Sequence, residues 1–97
     1  MVINSTISNN RSNYSAGIES RGVLTLTNST VSGNTASGTS LSNGGGIVNV
    51  NGTLTLTNVT VSGNTADVFG GGIRNSVGTV NFRNTIIAGN STFSGAT

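Results

Sequence analysis

Apolar and hydroxyl residues alternate along much of this chain with a period of two. The clearest runs are Leu54-Thr55-Leu56-Thr57 and Val59-Thr60-Val61-Ser62. Such alternation indicates short β-strands with one buried and one solvated face. A further segment, Gly45-Gly46-Ile47-Val48-Asn49, precedes these runs and recurs as Gly71-Gly72-Ile73-Arg74-Asn75. Because no stretch has the 3.6-residue period of an amphipathic helix, the pattern predicts an all-β fold.

The strands belong to a unit that is repeated along the chain. LTLTNVTVSGN at residues 54–64 matches LTLTNSTVSGN at 24–34, and VNFRNTIIAGN at 80–90 is a degenerate copy. The longer middle unit contains a polar insertion at 37–43, as expected of a surface loop. Three short strands in a unit of about 25 residues are typical of one coil of a parallel β-helix.

Like residues recur at the same place in successive units, as the inward rows of stacked coils should. These rows are Ile18, Ile47 and Ile73; Leu24, Leu54 and Val80; Leu26, Leu56 and Phe82; and Ile7, Val31, Val61 and Ile87. The sequence therefore predicts a single β-solenoid domain over residues 1–97 with about three coils of three short strands. We divide it into a partial coil at 1–10, coils at 11–34, 35–64 and 65–90, and a polar tail at 91–97.

Neither end of the repeat shows a capping pattern. A solenoid coil without a cap exposes unpaired backbone groups and an apolar cross-section. We therefore expect uncapped ends that stack on neighbouring coils of a longer chain or on a second copy of this one.

Two sets of asparagines mark the repeat: Asn4, Asn28, Asn58 and Asn84, and then Asn10, Asn34, Asn64 and Asn90. Asn28, Asn58 and Asn84 each occupy the single position between two strands. So tight a bend needs a left-handed residue, which Asn tolerates, and stacked Asn side chains can bond one another along the axis. We interpret them as an inward asparagine ladder rather than a polar binding row, and extend the same interpretation to the second set.

Composition limits the chemistry. The chain has no His and no Cys, which leaves no imidazole base, no catalytic triad, no disulfide and no thiolate metal site. Glu19 and Asp67 are the only acidic residues, one on a strand and one in a loop, so we expect no paired carboxylates and no calcium cluster. We therefore predict that the chain is not an enzyme and has no catalytic, cofactor-binding or metal-binding residues.

The partners expected from charge and hydropathy are few. The four Arg are isolated from one another in sequence, so no basic patch for nucleic acid is predicted. No apolar stretch approaches the about 18 residues of a membrane span, so we expect no membrane insertion. The first ten residues lack the basic and apolar regions of an export signal, so such a signal would have to lie outside this chain.

Two outward features are candidates for binding. Thr25 and Thr27, with Thr55 and Thr57 one coil above, form a small Thr array that the next coil interrupts with Asn81 and Arg83. Tyr14 and Phe69 lie in equivalent loops before the first strand, where we expect them to pack over the coil; the alternative is that they stack into an aromatic lip. Val48, Ile86 and Ile3 occupy outward columns and are expected to be exposed.

The runs VSGNTA at 61–66 and GGGI at 70–73, repeated at 31–36 and 44–47, resemble the repeats of polymorphic outer-membrane proteins. Val or Ile stands where that family favours Phe, and Gly where it favours Ala. The pattern is also similar to the pectate-lyase-like, right-handed parallel β-helix of many bacterial surface proteins. The resemblance implies a right-handed solenoid, an extracellular or cell-surface location in a bacterium, and adhesion.

The function expected from all of this is a non-catalytic structural or adhesive segment of a secreted or cell-surface bacterial β-helix protein. The alternatives are a carbohydrate-binding or ice-binding β-helix module, or a fragment of a polysaccharide-degrading β-helix enzyme. Carbohydrate is accordingly an expected partner.

Overall fold

A computed structural model describes residues 1–37 and 44–92, so most of the insertion predicted at 37–43 lies outside the described residues. The strands in this part of the chain are β1 Val2–Ile3, β2 Thr6–Ser8, β3 Arg11–Ser12, β4 Ile18–Ser20, β5 Val23–Ser32, β6 Thr35–Ala36, β7 Ile47–Ser62, β8 Thr65–Ala66, β9 Ile73–Arg83, β10 Ile86–Ala88 and β11 Ser91–Thr92. The described residues contain no helix. The all-β prediction is confirmed.

Parallel pairing joins the strands into a β-solenoid of about three turns. The long strand β7 traverses nearly a whole coil and pairs with β4 and β5 on one side and with β9 and β10 on the other. The predicted rows are confirmed by the register: Ile18 faces Ile47, which faces Ile73; Leu24, Leu54 and Val80 follow; then Leu26, Leu56 and Phe82; and Ile7, Val31, Val61 and Ile87. Like residues every repeat are therefore neighbours in space.

The core is a narrow column of aliphatic side chains inside the coils. Its fully buried members are Leu26, Val31, Ile47, Leu54, Leu56 and Val61. Burying each such side chain contributes about 1.5–3 kcal/mol. The middle coil has neighbours above and below, so its side chains are the best covered. At the last coil, Phe82 is 64% exposed although its row is buried in the two coils before it.

The left-handed bends predicted between strands are confirmed. Asn28, Asn58 and Asn84 have φ angles of 51°, 54° and 49°. The prediction that these side chains point inward is wrong, because all three residues are exposed. A residue that itself takes the left-handed conformation lies at the outer corner of the bend. Among the described residues, the only side-chain hydrogen bond within this row runs from Asn58 Nδ2 to Asn28 Oδ1, at 3.1 Å.

A further parallel row, which the sequence analysis did not predict, is formed by β3, β6, β8 and β11. Each of its strands has two residues, which is too short for an alternating pattern to show. Its last member, Ser91–Thr92, lies within the segment that was assigned to the polar tail. The paired structure therefore extends two residues beyond the predicted coil.

Candidate functional site

A continuous asparagine ladder runs from the exposed Asn10 through the buried Asn34 and Asn64 to the half-buried Asn90. Asn10, Asn34 and Asn64 each donate from Nδ2 to Oδ1 of the next residue in the row, ending at Asn90, and each of these bonds is 2.9 Å long. The Nδ2 atoms of the last three residues also donate to the carbonyls of Ile7, Val31 and Val61, one coil below. The amides of Asn34, Asn64 and Asn90 both donate to and accept from protein partners, so the structural interpretation of this row is confirmed.

A second ladder joins the buried Asn49 to the exposed Asn75, and the sequence analysis missed it. Asn49 Nδ2 donates to Asn75 Oδ1 at 2.9 Å and to the Gly52 carbonyl at 3.1 Å. The recurrence of Asn two residues after Ile47 and Ile73 was the available signal. In the first coil the equivalent residue is Ser20, which pairs in register with Asn49. Asn49 Oδ1 is buried and has no hydrogen-bond partner among the described residues.

Replacing Ser20 with Asn should complete this second ladder. The new amide would donate to the orphaned Asn49 Oδ1, as Asn49 itself donates to Asn75. We expect Ser20→Asn to raise the free energy of unfolding by about 1 kcal/mol, the net contribution of one hydrogen bond. Urea denaturation measures the change, with Ser20→Ala as the control. An Asn variant that is no more stable than the Ala variant would contradict the explanation.

Hydroxyl groups cover two neighbouring outer faces of the solenoid. The predicted array is in register, since Thr25 faces Thr55 and Thr27 faces Thr57. A second array, not singled out from the sequence, lies on the adjacent face: Thr6, Thr30 and Thr60 form one row, and Ser8, Ser32 and Ser62 form another. In the last coil the rows change character, to Asn81 and Arg83 on one face and to Ile86 and Ala88 on the other. These faces are regular, polar and uncharged over most of their length.

An open groove of about 410 Å³ lies outside the first strands of the coils. The residues that line it are Tyr14, Glu19, Arg21, Val48, Val50, Phe69, Arg74 and Ser76. Tyr14 and Phe69 are 47% and 44% exposed, and Val48 at the base of the groove is 1% exposed. The expectation that Val48 is exposed is therefore wrong, because its outward side chain is covered. Ile3 and Ile86 are exposed, as predicted.

The charged side chains of the groove are held in place by neighbours. Glu19 Oε1 accepts from Ser15 Oγ at 3.0 Å, and Glu19 Oε2 accepts from Arg21 Nε at 3.3 Å. The guanidinium carbon of Arg74 lies 4.3 Å from the centre of the Phe69 ring, which is a cation–π contact. The groove thus presents two guanidinium groups, one carboxylate that accepts hydrogen bonds from Ser15 and Arg21, and two aromatic rings.

The two carboxylates of the chain do not both line this groove, since Asp67 is not among the lining residues. Within residues 1–37 and 44–92, no group of three or more His, Cys, Asp or Glu side chains is placed to hold a metal ion. The same part of the chain has no helix long and apolar enough to cross a membrane.

No protein-family model matches the chain, and no curated protein or solved structure is significantly similar to it.

Proposed function

We propose that this chain is a non-catalytic structural or adhesive segment of a secreted or cell-surface β-helix protein of a bacterium. The observation that carries the proposal is the interior ladder from Asn10 to Asn90, which crosses every coil without a break. Side-chain bonds parallel to the axis add to the backbone bonds between strands, and a fully satisfied buried network rigidifies a structure. Such a column suits a role in which the solenoid acts as a rigid spacer.

The adhesive part of the proposal is supported by the outer faces. Rows of Thr and Ser hydroxyls on two adjacent faces, spaced about 4.8 Å from coil to coil, offer many weak donors and acceptors at once. Multiple weak contacts held at fixed spacing give avidity without a single strong site. The rows of Thr25 and Thr27, and of Thr30 and Ser32, carry this argument.

The proposed partners are other coils. The row that contains Leu26 and Leu56 continues to the exposed Phe82, and the row of Val61 continues to the exposed Ile87. An apolar edge of this kind stacks on a further coil, either of a longer chain or of a second copy. Copy-to-copy stacking predicts concentration-dependent sedimentation that persists in high salt, because charge contributes little to it.

Display of the chain on the surface of a laboratory bacterium tests the adhesive proposal. We expect cells that display it to attach to hydroxylated silica more strongly than cells that carry the anchor alone. Thr55→Val combined with Thr60→Val removes a hydroxyl from each face without adding charge and should reduce attachment, whereas Tyr14→Ala in the groove should not. Attachment no greater than that of the anchor alone would refute adhesion through these faces.

The same chain should release no reducing ends from polysaccharides. One carboxylate held by Arg21 and Ser15 does not supply the paired acid and base of glycoside hydrolysis. Turnover that disappears in Glu19→Gln would instead favour the fragment of a polysaccharide-degrading enzyme.

Of the binding alternatives, the ice-binding module has the weaker support. Its Thr array ends where Asn81 and Arg83 replace Thr in the last coil. The carbohydrate-binding module is supported by the groove, which combines aromatic rings with oriented polar groups.

A further inference from the structure

We infer that one water molecule binds inside the first coil, where it takes the place of an asparagine amide and donates a hydrogen bond to Asn49 Oδ1. The site lies between Ser20 and Asn49, which pair in register. The bound water adds a rung below Asn49 to the ladder that Asn49 forms with Asn75. This inference concerns the interior of the solenoid and is independent of the adhesive proposal.

The geometry of the site is seen one coil above, where the amide is present. Asn49 Nδ2 donates to Asn75 Oδ1 at 2.9 Å and to the Gly52 carbonyl at 3.1 Å. The same nitrogen donates to the Thr79 carbonyl at 3.3 Å. Three oxygen atoms, taken from two coils, therefore converge on one nitrogen.

Two of these three oxygen atoms have counterparts one coil below. Asn49 pairs in register with Asn75, and Thr53 pairs in register with Thr79. Asn75 Oδ1 accepts from the coil beneath it, so by the repeat Asn49 Oδ1 faces the first coil. The Thr53 carbonyl likewise corresponds to the Thr79 carbonyl.

The Gly22 carbonyl completes the set, in the position that the Gly52 carbonyl has one coil above. It accepts from the backbone N of Thr53 at 3.0 Å. A Cβ at Gly52 would collide with this oxygen, just as a Cβ at Gly78 would collide with the carbonyl oxygen of Gly52. The same stacking therefore positions both carbonyls, although the first coil has one residue fewer after Ser20.

The first coil lacks the nitrogen at the centre of this set. Ser20 stands where the later coils have Asn, and its side chain has two heavy atoms fewer. Asn49 is 0% exposed, and its Oδ1 has no hydrogen-bond partner among the described residues. Buried polar groups are almost always paired with protein or with ordered water, because an unpaired one destabilises the fold. A donor bound at this point removes that cost.

Water suits the donors and acceptors of the site better than a cation does. One O–H donates to Asn49 Oδ1 and the other to the Gly22 carbonyl, while the water oxygen accepts from the hydroxyl of Ser20. The two heavy atoms that Ser20 lacks correspond to about the volume of one water molecule. A cation would meet only neutral oxygens, and a buried charge without a counter-charge is costly. Water can enter from the solvent, since Gly22 is exposed and Ser20 is half-buried.

Relaxation dispersion of the water nuclei measures how many water molecules stay bound for longer than the protein takes to tumble. Ser20→Asn places an amide at the site and should lower this number by one. Ser20→Ala is the control, because it leaves the oxygen atoms of Asn49, Gly22 and Thr53 in place and should retain the water. Circular dichroism verifies that both variants are folded. Equal numbers of bound waters in Ser20→Asn and in the unaltered chain would overturn the inference.

A second measurement needs no variant. A high-resolution crystal structure of the unaltered chain should show a peak of electron density within hydrogen-bonding distance of Asn49 Oδ1 and of the Gly22 carbonyl. Absence of that peak would refute the inference even if Ser20→Asn does not fold.

Urea unfolding in different salts distinguishes water from a cation. A water site predicts the same midpoint in sodium, potassium and ammonium chloride at equal ionic strength. A saturable rise of the midpoint with one of these cations would identify a cation as the ligand and overturn the assignment of water. None of these measurements involves the hydroxyl faces, so each result leaves the test of adhesion on silica unaffected.

Discussion

Replacing Asn64 with Ala should lower the free energy of unfolding by about 3–5 kcal/mol, which is a large share of the stability of a small domain. Asn64 is 0% exposed. Its Oδ1 accepts from the backbone N and the Nδ2 of Asn34, at 3.0 and 2.9 Å. Its Nδ2 donates to Val31 O at 3.0 Å and to Asn90 Oδ1 at 2.9 Å. Truncation removes the middle of the ladder, so three buried polar atoms (Asn34 N, Asn34 Nδ2 and Val31 O) and the half-buried Asn90 Oδ1 each lose a hydrogen-bond partner.

The matched control is Asn58→Ala, six residues earlier in the same coil. Asn58 makes one side-chain hydrogen bond, at the surface. The main cost of Asn58→Ala is therefore that Ala must adopt the left-handed conformation without the amide that makes it tolerable for Asn, which lowers the stability by about 1–2 kcal/mol. Urea denaturation of both variants gives the comparison. Equal losses of stability would mean that the ladder of Asn64 contributes no more than the surface row of Asn58.

The two asparagine rows show where sequence reasoning succeeds and where it stops. Both recur at the same intervals, so spacing alone cannot tell the inner row from the outer one. The backbone decides: Gly33, Gly63 and Gly89 take the left-handed conformation, with φ of 64°, 64° and 67°, and the Asn that follows each of them enters the interior. Asn28 and Asn58 take that conformation themselves and therefore remain outside. A Gly directly before Asn34, Asn64 and Asn90 was the signal that distinguishes the rows; before Asn10 the left-handed residue is Asn9, with φ of 58°.

The aliphatic rows were fully predictable because each repeat carries its own copy of the pattern. Leu54 has a like residue before it and after it in the chain, and parallel stacking is the arrangement that brings all three together. The short row that contains Thr35 and Thr65 was not predictable, since two residues show no period. Repetition thus reveals the coil and its inward positions but not every strand within it.

The groove was only partly predictable. The equal offsets of Tyr14 and Phe69 from their first strands placed both aromatics on one side of the solenoid. Alternation also put Val48 on that outer side, but it could not show that the side chain would be covered. Cover of an outward residue depends on how loops fold back over a strand. Loops carry no repeating pattern, so this part of the site had to come from the structure.

Replacing Gly46 with Ala should destabilise the chain by about 2–4 kcal/mol, the combined effect of overpacking and a displaced backbone hydrogen bond. Gly46 lies where the chain enters the first strand, and a Cβ there would collide with the carbonyl oxygen of Gly72 in the next coil. That oxygen accepts from the backbone N of Ile47 at 2.9 Å, so moving it weakens the contact between the coils. The new methyl would also lie 3.1 Å from Asn64 Nδ2 and 3.2 Å from Val61 Cγ1, so the methyl group cannot relieve the collision by moving toward these atoms.

Gly22→Ala is the control for this last change, because the substitution is chemically identical and the surroundings differ. A Cβ at Gly22 meets no atom of the described residues within 4 Å. We therefore expect the Gly22 variant to unfold at nearly the same urea concentration as the unaltered chain, or slightly later, since Ala restricts the unfolded state by about 0.4–1 kcal/mol. The Gly46 variant should unfold at a clearly lower concentration. If the two variants unfolded together, close stacking of backbone on backbone at Gly46 could not be what requires glycine there.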